Sequence, residues 1–67
     1  MTERPTLTTS EAKRRIEALD PTGELRVEIH ALNGIATLSC HGLDYEMHAF
    51  AYRAFETMQK QYRLIEG

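Results

Sequence analysis

A chain of 67 residues with a formal net charge of −2 and a pI near 5.8 makes one domain, 1–67, near the lower size limit for an unaided core. Cys40 is the single cysteine, which excludes an intramolecular disulfide and favours a reducing compartment, so we expect a cytoplasmic protein. The opening segment has no apolar run, which argues against a signal peptide and a membrane span.

The N-terminal third predicts a loose arm followed by a helix. Residues 1–7 are polar and contain Pro5, which indicates a loose arm. The sequence T-T-S-E at 8–11 is a capping box and predicts a helix over about 9–19. Its narrow inward stripe would comprise Ala12, Ile16 and Leu19. Asp20-Pro21-Thr22-Gly23 then predicts a turn.

The middle of the chain predicts an antiparallel β-hairpin. Apolar and polar residues alternate over 24–32, Asn33-Gly34 is a strong signal for a two-residue turn, and 35–41 is the return strand. The turn sets a register that pairs Leu32 with Ile35, Ile29 with Leu38, and Val27 with Cys40. The inner face then carries Leu25, Val27, Ile29, Ala31, Ala36, Leu38 and Cys40. The outer face carries Arg26, Glu28, His30, Thr37, Ser39 and His41.

Residues 44–66 contain neither proline nor glycine and predict a long C-terminal helix capped by Asp44. Apolar and aromatic positions cover roughly 200° of its circumference, about twice the width that packing on one neighbour requires. This arc divides into two seams. The aliphatic seam comprises Met47, Ala51, Ala54, Met58 and Ile65, and the aromatic seam comprises Tyr45, His48, Tyr52, Phe55 and Tyr62.

The predicted architecture is an α+β fold of order α-β-β-α, with both helices packed on one face of the hairpin. Two strands alone make a marginal sheet with two open edges, and the wide apolar arc adds uncovered surface, so we expect a homodimer. Edge-to-edge strand pairing and antiparallel packing of the long helices both fit, and the helix packing is slightly preferred. A monomer in which the first helix covers the excess is the remaining alternative.

Candidate chemistry is sparse. His30, Cys40, His41 and His48 match no structural zinc spacing, so we expect neither a metal nor another cofactor. A nucleophilic pair of Cys40 with His48 is disfavoured because the predicted hairpin turns Cys40 into the core. The sequence therefore predicts a protein without catalytic residues.

The leading functional hypothesis is a small non-enzymatic interaction module that binds and modulates a larger protein of unknown identity. Its expected interface is Tyr45, His48, Tyr52, Phe55, Met58 and Tyr62. Possible polar contacts to a ligand or partner are Arg26, Glu28, His30 and His41. One alternative is a small-ligand binding or sequestering protein with a pocket between subunits, and another is an accessory inhibitor of host machinery of the phage or plasmid type. Nucleic-acid binding through the basic cluster at 13–15 is disfavoured by the acidic pI.

Overall fold

The computed structural model describes residues 3–41 and 44–67, which form an α+β fold of two helices and two small sheets. Strand β1 (Thr6–Thr8) leads directly into helix α1 (Thr9–Ala18). Strands β2 (Val27–Leu32) and β3 (Ile35–Cys40) form the hairpin. Helix α2 (Tyr45–Gln61) and strand β4 (Arg63–Ile65) complete the chain. Within the described residues, no helix combines the length and the apolar character that crossing a bilayer requires.

The hairpin has the predicted register. The ladder pairs Leu32 with Ile35, Ile29 with Leu38, and Val27 with Cys40. Asn33 and Gly34 have φ values of +54° and +78°, the positive values that a type I′ turn requires at both central positions. The first strand begins at Val27 rather than at residue 24, because the preceding segment is held by hydrogen bonds to Asp20.

The core lies on the inner face of this hairpin. Helix α1 lies against β2, and α2 lies against β3. The buried apolar residues lie in β1, in both helices, in the segment before β2 and in the two hairpin strands: Leu7, Ala12, Ile16, Leu25, Val27, Ile29, Leu38, Ala51, Phe55 and Met58. Ala36 and Cys40 are half-buried beside them. The period-two pattern of the hairpin therefore identified the core face correctly.

The prediction of a loose arm over 1–7 is wrong for Thr6 and Leu7. These residues belong to β1, which pairs in parallel with β4, and Leu7 lies opposite Leu64. The Leu7 side chain is 3% exposed, and the Pro5 carbonyl oxygen accepts a hydrogen bond of 2.8 Å from the Arg63 amide. Met1 and Thr2 lie outside the described residues. Burial of one leucine and pairing of its backbone fix this segment to the opposite end of the chain.

The long C-terminal helix is shorter than predicted. It begins as expected, since the Asp44 side chain accepts a hydrogen bond of 3.0 Å from the Met47 amide. It ends at Gln61, where Tyr62 adopts extended backbone angles and leads into β4. The element order is therefore β-α-β-β-α-β rather than α-β-β-α. Tyr62 and Ile65 consequently leave the helical seams to which the sequence pattern assigned them.

The first helix begins at its predicted cap and ends one residue early. The Thr8 hydroxyl accepts a hydrogen bond of 3.2 Å from the Glu11 amide, as an N-cap requires. Ala12 and Ile16 are fully buried, as predicted. Leu19 is wrong as an inward residue, because it forms the C-cap beyond Ala18 and is 54% exposed.

The turn after α1 is organised by the carboxylate of Asp20, which is 8% exposed. It accepts hydrogen bonds from the hydroxyl and the amide of Thr22, and from the amides of Glu24 and Leu25. The Thr22 hydroxyl and these amides hold the pKa of the Asp20 carboxyl below its usual range, against the opposing effect of burial. The ionised carboxylate is thus the form that stabilises the turn.

Acidification is expected to remove this stabilisation. Because folding lowers the pKa of Asp20, its contribution is present above the unfolded value of about 4 and is lost as the pH falls through the folded value. The Thr9 hydroxyl and His30 also lower the pKa of Glu66. Protonation of Glu66 should therefore reduce stability in acid as well. Urea midpoints between about pH 7 and about pH 2 should fall with acid. Asp20→Asn should remove up to about one proton from that pH dependence, whereas an unchanged slope would contradict the assignment.

Candidate protein interface

Helix α2 buries a narrow stripe and leaves apolar side chains uncovered on both sides of it. The stripe consists of Ala51, Phe55 and Met58. Phe55 is 5% exposed and Met58 is 8% exposed. These two predicted interface residues therefore belong to the core of the single chain. The predicted excess of apolar circumference is present, but it lies on the two flanks of the stripe.

The first flank, called here the tyrosine flank, consists of Tyr45, His48, Ala49 and Tyr52, which line a shallow open depression. Tyr45 is 85% exposed, and Tyr52 is 45% exposed. The Tyr52 hydroxyl donates a hydrogen bond of 3.0 Å to the Leu38 carbonyl oxygen of β3. This bond places the tyrosine flank beside the outer edge of the hairpin.

The opposite flank forms the Leu19–Phe50 groove, an open apolar depression of about 370 Å³. Its lining comprises Leu19, Phe50, Arg53, Ala54, Thr57, Met58 and Gln61. Phe50 is 37% exposed. Sequence reasoning missed this groove because it assigned Leu19 to the core and Phe50 to neither seam. Phe50 lies at the border of the apolar arc, which was the available signal for a second uncovered flank.

Tyr62 makes specific contacts within the chain. It is half-buried, and the guanidinium carbon of Arg15 lies 5.2 Å from the centre of its ring. The Arg15 guanidinium also donates a hydrogen bond of 3.0 Å to the Tyr62 hydroxyl. This cation–π and hydrogen-bond contact joins the C-terminal cap of α2 to α1. The aromatic seam is therefore split between the core, the tyrosine flank and this internal contact.

The outer edge of β3 carries outward-directed backbone groups. In a hairpin with a two-residue type I′ turn, the residues flanking the turn form a hydrogen-bonded pair, and such pairs then alternate along the ladder. The His41 amide donates to the Arg26 carbonyl oxygen at 3.4 Å, which continues the same alternation. The amides and carbonyls of Ala36, Leu38 and Cys40 accordingly point away from β2.

The corresponding edge of β2 is covered by acidic side chains. The Val27 amide donates a hydrogen bond of 3.0 Å to a carboxylate oxygen of Glu17. Burial tends to raise the pKa of Glu17, but the hydrogen bonds from Lys13 and the Val27 amide outweigh it and leave the pKa lowered. Further along, Glu66 meets the Ala31 amide, which contributes to its lowered pKa. Two outward-directed amides of β2 thus already have carboxylate partners within the chain.

The polar residues predicted to contact a ligand or partner are engaged within the chain. The Nε2 atom of His41 lies 2.6 Å from a carboxylate oxygen of Glu28. The Nδ1 atom of His30 lies 3.4 Å from a carboxylate oxygen of Glu66. The Arg26 guanidinium donates to the carbonyl oxygens of Gly23 and Leu25 at 2.8 and 2.9 Å. The Arg26 guanidinium thus binds the backbone of the segment just before β2.

The structure places Cys40 at the margin of the core. Its side chain is half-buried, and desolvation raises the pKa of the thiol, which disfavours the reactive thiolate. Across residues 3–41 and 44–67, no three histidine, cysteine or acidic side chains converge in a way that could hold a metal ion. The notable features of the described residues are their uncovered apolar surfaces and the outer edge of β3, which pairs with no other described strand.

Comparison with protein-family models, with curated proteins and with solved structures finds no match to this chain.

Proposed function

We propose that this chain is a non-enzymatic protein–protein interaction module that acts as a homodimer and binds a larger protein. One observation carries the proposal: α2 has uncovered apolar surface on both sides of its buried stripe. The tyrosine flank and the Leu19–Phe50 groove lie on opposite sides of one helix. A chain with two such surfaces can contact its own copy and a second protein at the same time.

The exposed aromatic residues are of the kind that dominate binding energies. Tyrosine is enriched among residues whose truncation weakens complexes most. Burying a tyrosine as exposed as Tyr45 contributes roughly 3–5 kcal/mol of hydrophobic free energy before costs. Association itself costs about 4–15 kcal/mol, so one such residue is not enough. Several uncovered apolar side chains on each surface are needed, and each flank of α2 provides them.

The Leu19–Phe50 groove is the surface that we assign to the larger protein. Its floor is apolar, while Arg53, Thr57 and Gln61 contribute polar groups to its lining. A partner that inserts an apolar side chain and places an acidic group near Arg53 would match both features. This division leaves the tyrosine flank and the β3 edge to the second copy of the chain.

The assignment of the groove can be tested by capture with the purified chain as bait. Phe50→Asp places a charge in the groove and should weaken binding of a stoichiometrically captured protein by at least about tenfold. Tyr45→Asp makes the same kind of change on the other flank and should leave that affinity within about twofold. Circular dichroism would establish that both variants are folded. Equal retention of the captured protein by Phe50→Asp and by the unaltered chain would refute the assignment of the groove.

A further inference from the structure

We propose that a second copy of this chain pairs antiparallel with the outer edge of β3, which creates a continuous four-stranded sheet with the two tyrosine flanks facing each other beside the junction. This inference rests on the proposed function and identifies one of its partners as the chain itself. The proposed dimer combines the two geometries that the sequence allows, edge-to-edge strand pairing and contact between the long helices. Both contacts lie on the same side of the molecule.

The edge of β3 is accessible to a strand in a way that the edge of β2 is not. Glu17 and Glu66 meet the amides of Val27 and Ala31 on the β2 side. On the β3 side, the Tyr52 hydroxyl reaches the Leu38 carbonyl oxygen. That oxygen has a second lone pair and can accept an additional amide, so this contact is compatible with strand addition.

The composition of β3 lacks the devices that protect edge strands. Natural edges are commonly blocked by lysine, proline or an inward-pointing charge. The six residues of β3, I-A-T-L-S-C, include none of these and carry no charge at all. Two copies can therefore approach along this strand without like charges meeting in the ladder.

The outward-directed residues also define one register in which β3 is complementary to itself. A two-fold axis through Leu38 pairs Leu38 with its own copy and pairs Ala36 of each chain with Cys40 of the other. All three outward residues then find partners, giving about six backbone hydrogen bonds. A shift of the axis to Thr37 leaves Cys40 without a strand residue opposite it. The register through Leu38 is therefore the one that satisfies most of the edge.

Side chains on both faces of the junction fit this register. On the inner face, small residues, Ala36 and Cys40, flank the central leucines. Tyr52 stands directly over the junction through its hydroxyl contact with Leu38, so the added strand covers part of its exposed ring. On the outer face, Ile35, which is 67% exposed, comes to lie beside His41 of the second copy. Strand pairing thus covers apolar surface that the single chain leaves in water.

A matched pair of charge variants tests the register. Thr37 and Ser39 are exposed on the outer face, and in the proposed dimer each lies opposite the other in the second copy. Thr37→Lys with Ser39→Lys places like charges across the junction, whereas Thr37→Glu with Ser39→Lys places opposite charges there. Within the hairpin, Ser39 lies opposite Glu28, so lysine at 39 is compatible with the fold in both variants. The two proteins differ only in the sign of the charge at residue 37.

A further variant removes an edge donor without touching the hairpin ladder. The Ala36 amide points away from β2, so Ala36→Pro deletes one outward donor and no bond between β2 and β3. We expect light scattering at tens of micromolar to give twice the 7.7 kDa chain mass for the unaltered chain and for the opposite-charge variant. The like-charge variant and Ala36→Pro should give the chain mass, with folding of every variant established by circular dichroism.

Three other outcomes would overturn the inference. A monomeric unaltered chain would exclude self-pairing. A dimer mass that persists in all three variants would exclude the β3 edge as the contact between the two copies. A monomer that captures a foreign protein through β3, and loses it on Ala36→Pro, would replace the second copy with a foreign strand. The Phe50→Asp capture experiment tests binding of the larger protein separately, so failure of the strand pairing and failure of that part of the proposed function can be told apart.

Discussion

Phe55→Ala is expected to lower the free energy of unfolding by about 3–5 kcal/mol, the largest effect of any single truncation on α2. Phe55 is 5% exposed and lies in the core with Ala51 and Met58. A domain of this size has a total stability of roughly 3–5 kcal/mol from its core. The variant should therefore be largely unfolded at 25 °C, and urea titration followed by circular dichroism measures this directly.

Tyr45→Ala is the matched control for that experiment. It removes an aromatic side chain from the same helix at a position that is 85% exposed, and its effect should stay within about 0.5 kcal/mol. Both titrations belong at concentrations low enough to keep the chain monomeric, because binding of a second copy raises apparent stability. Near-equal stabilities of the two variants would contradict the division of α2 into a buried stripe and uncovered flanks.

Leu7→Ala is expected to cost about 2–5 kcal/mol, although Leu7 lies in a segment whose sequence predicts a loose arm. The side chain is 3% exposed, and its backbone pairs with Leu64 in the parallel contact between β1 and β4. Loss of this side chain should loosen both ends of the chain together. The thermal midpoint and the protection of the Arg63 amide against hydrogen exchange should both fall.

Thr6→Ala supplies the control for this second prediction. Thr6 lies in the same strand and pairs with Arg63, but it is exposed, so truncation should change stability by no more than about 0.5 kcal/mol. If Leu7→Ala and Thr6→Ala had the same small effect, β1 would contribute no core and the pairing of the two ends would be incidental.

The hairpin was predictable because its signals are local and agree with one another. Asn33-Gly34 selects the turn type, and the turn fixes a register that places the apolar residues of both strands on one face. Thr8 and Asp44 likewise mark the starts of the two helices through their own side chains. Each of these features depends on residues only a few positions apart.

The paired ends of the chain were not predictable by the same reasoning. Strands of three residues, such as T-L-T and R-L-I, are too short to show a period of two. The parallel pairing of Leu7 with Leu64 joins residues at opposite ends of the sequence, so neither segment indicates it alone. No residue from Tyr62 to Glu66 disfavours helix strongly, and we attribute the end of α2 at Gln61 to the backbone pairing of the following residues with β1. Tertiary pairing overrode local propensity.

The uncovered apolar surface of α2 was predictable in its existence but not in its outline. The width of the apolar arc indicates that one chain cannot cover α2 completely. It does not indicate which part of the arc enters the core, and the structure buries Phe55 and Met58 there. The angular pattern therefore could not separate the tyrosine flank from the Leu19–Phe50 groove. That division depends on how α2 docks, which is set by contacts distant in sequence.

Hydrogen exchange at the amides of β3, measured at low and high protein concentration, tests the central claim most directly. The Thr37 and Ser39 amides point into the hairpin ladder and should be protected at both concentrations. The Leu38 and Cys40 amides point outward, so they should exchange quickly in the dilute monomer and become protected as the second copy binds. Rapid exchange of the Leu38 amide at concentrations where light scattering shows a dimer would contradict pairing through this edge.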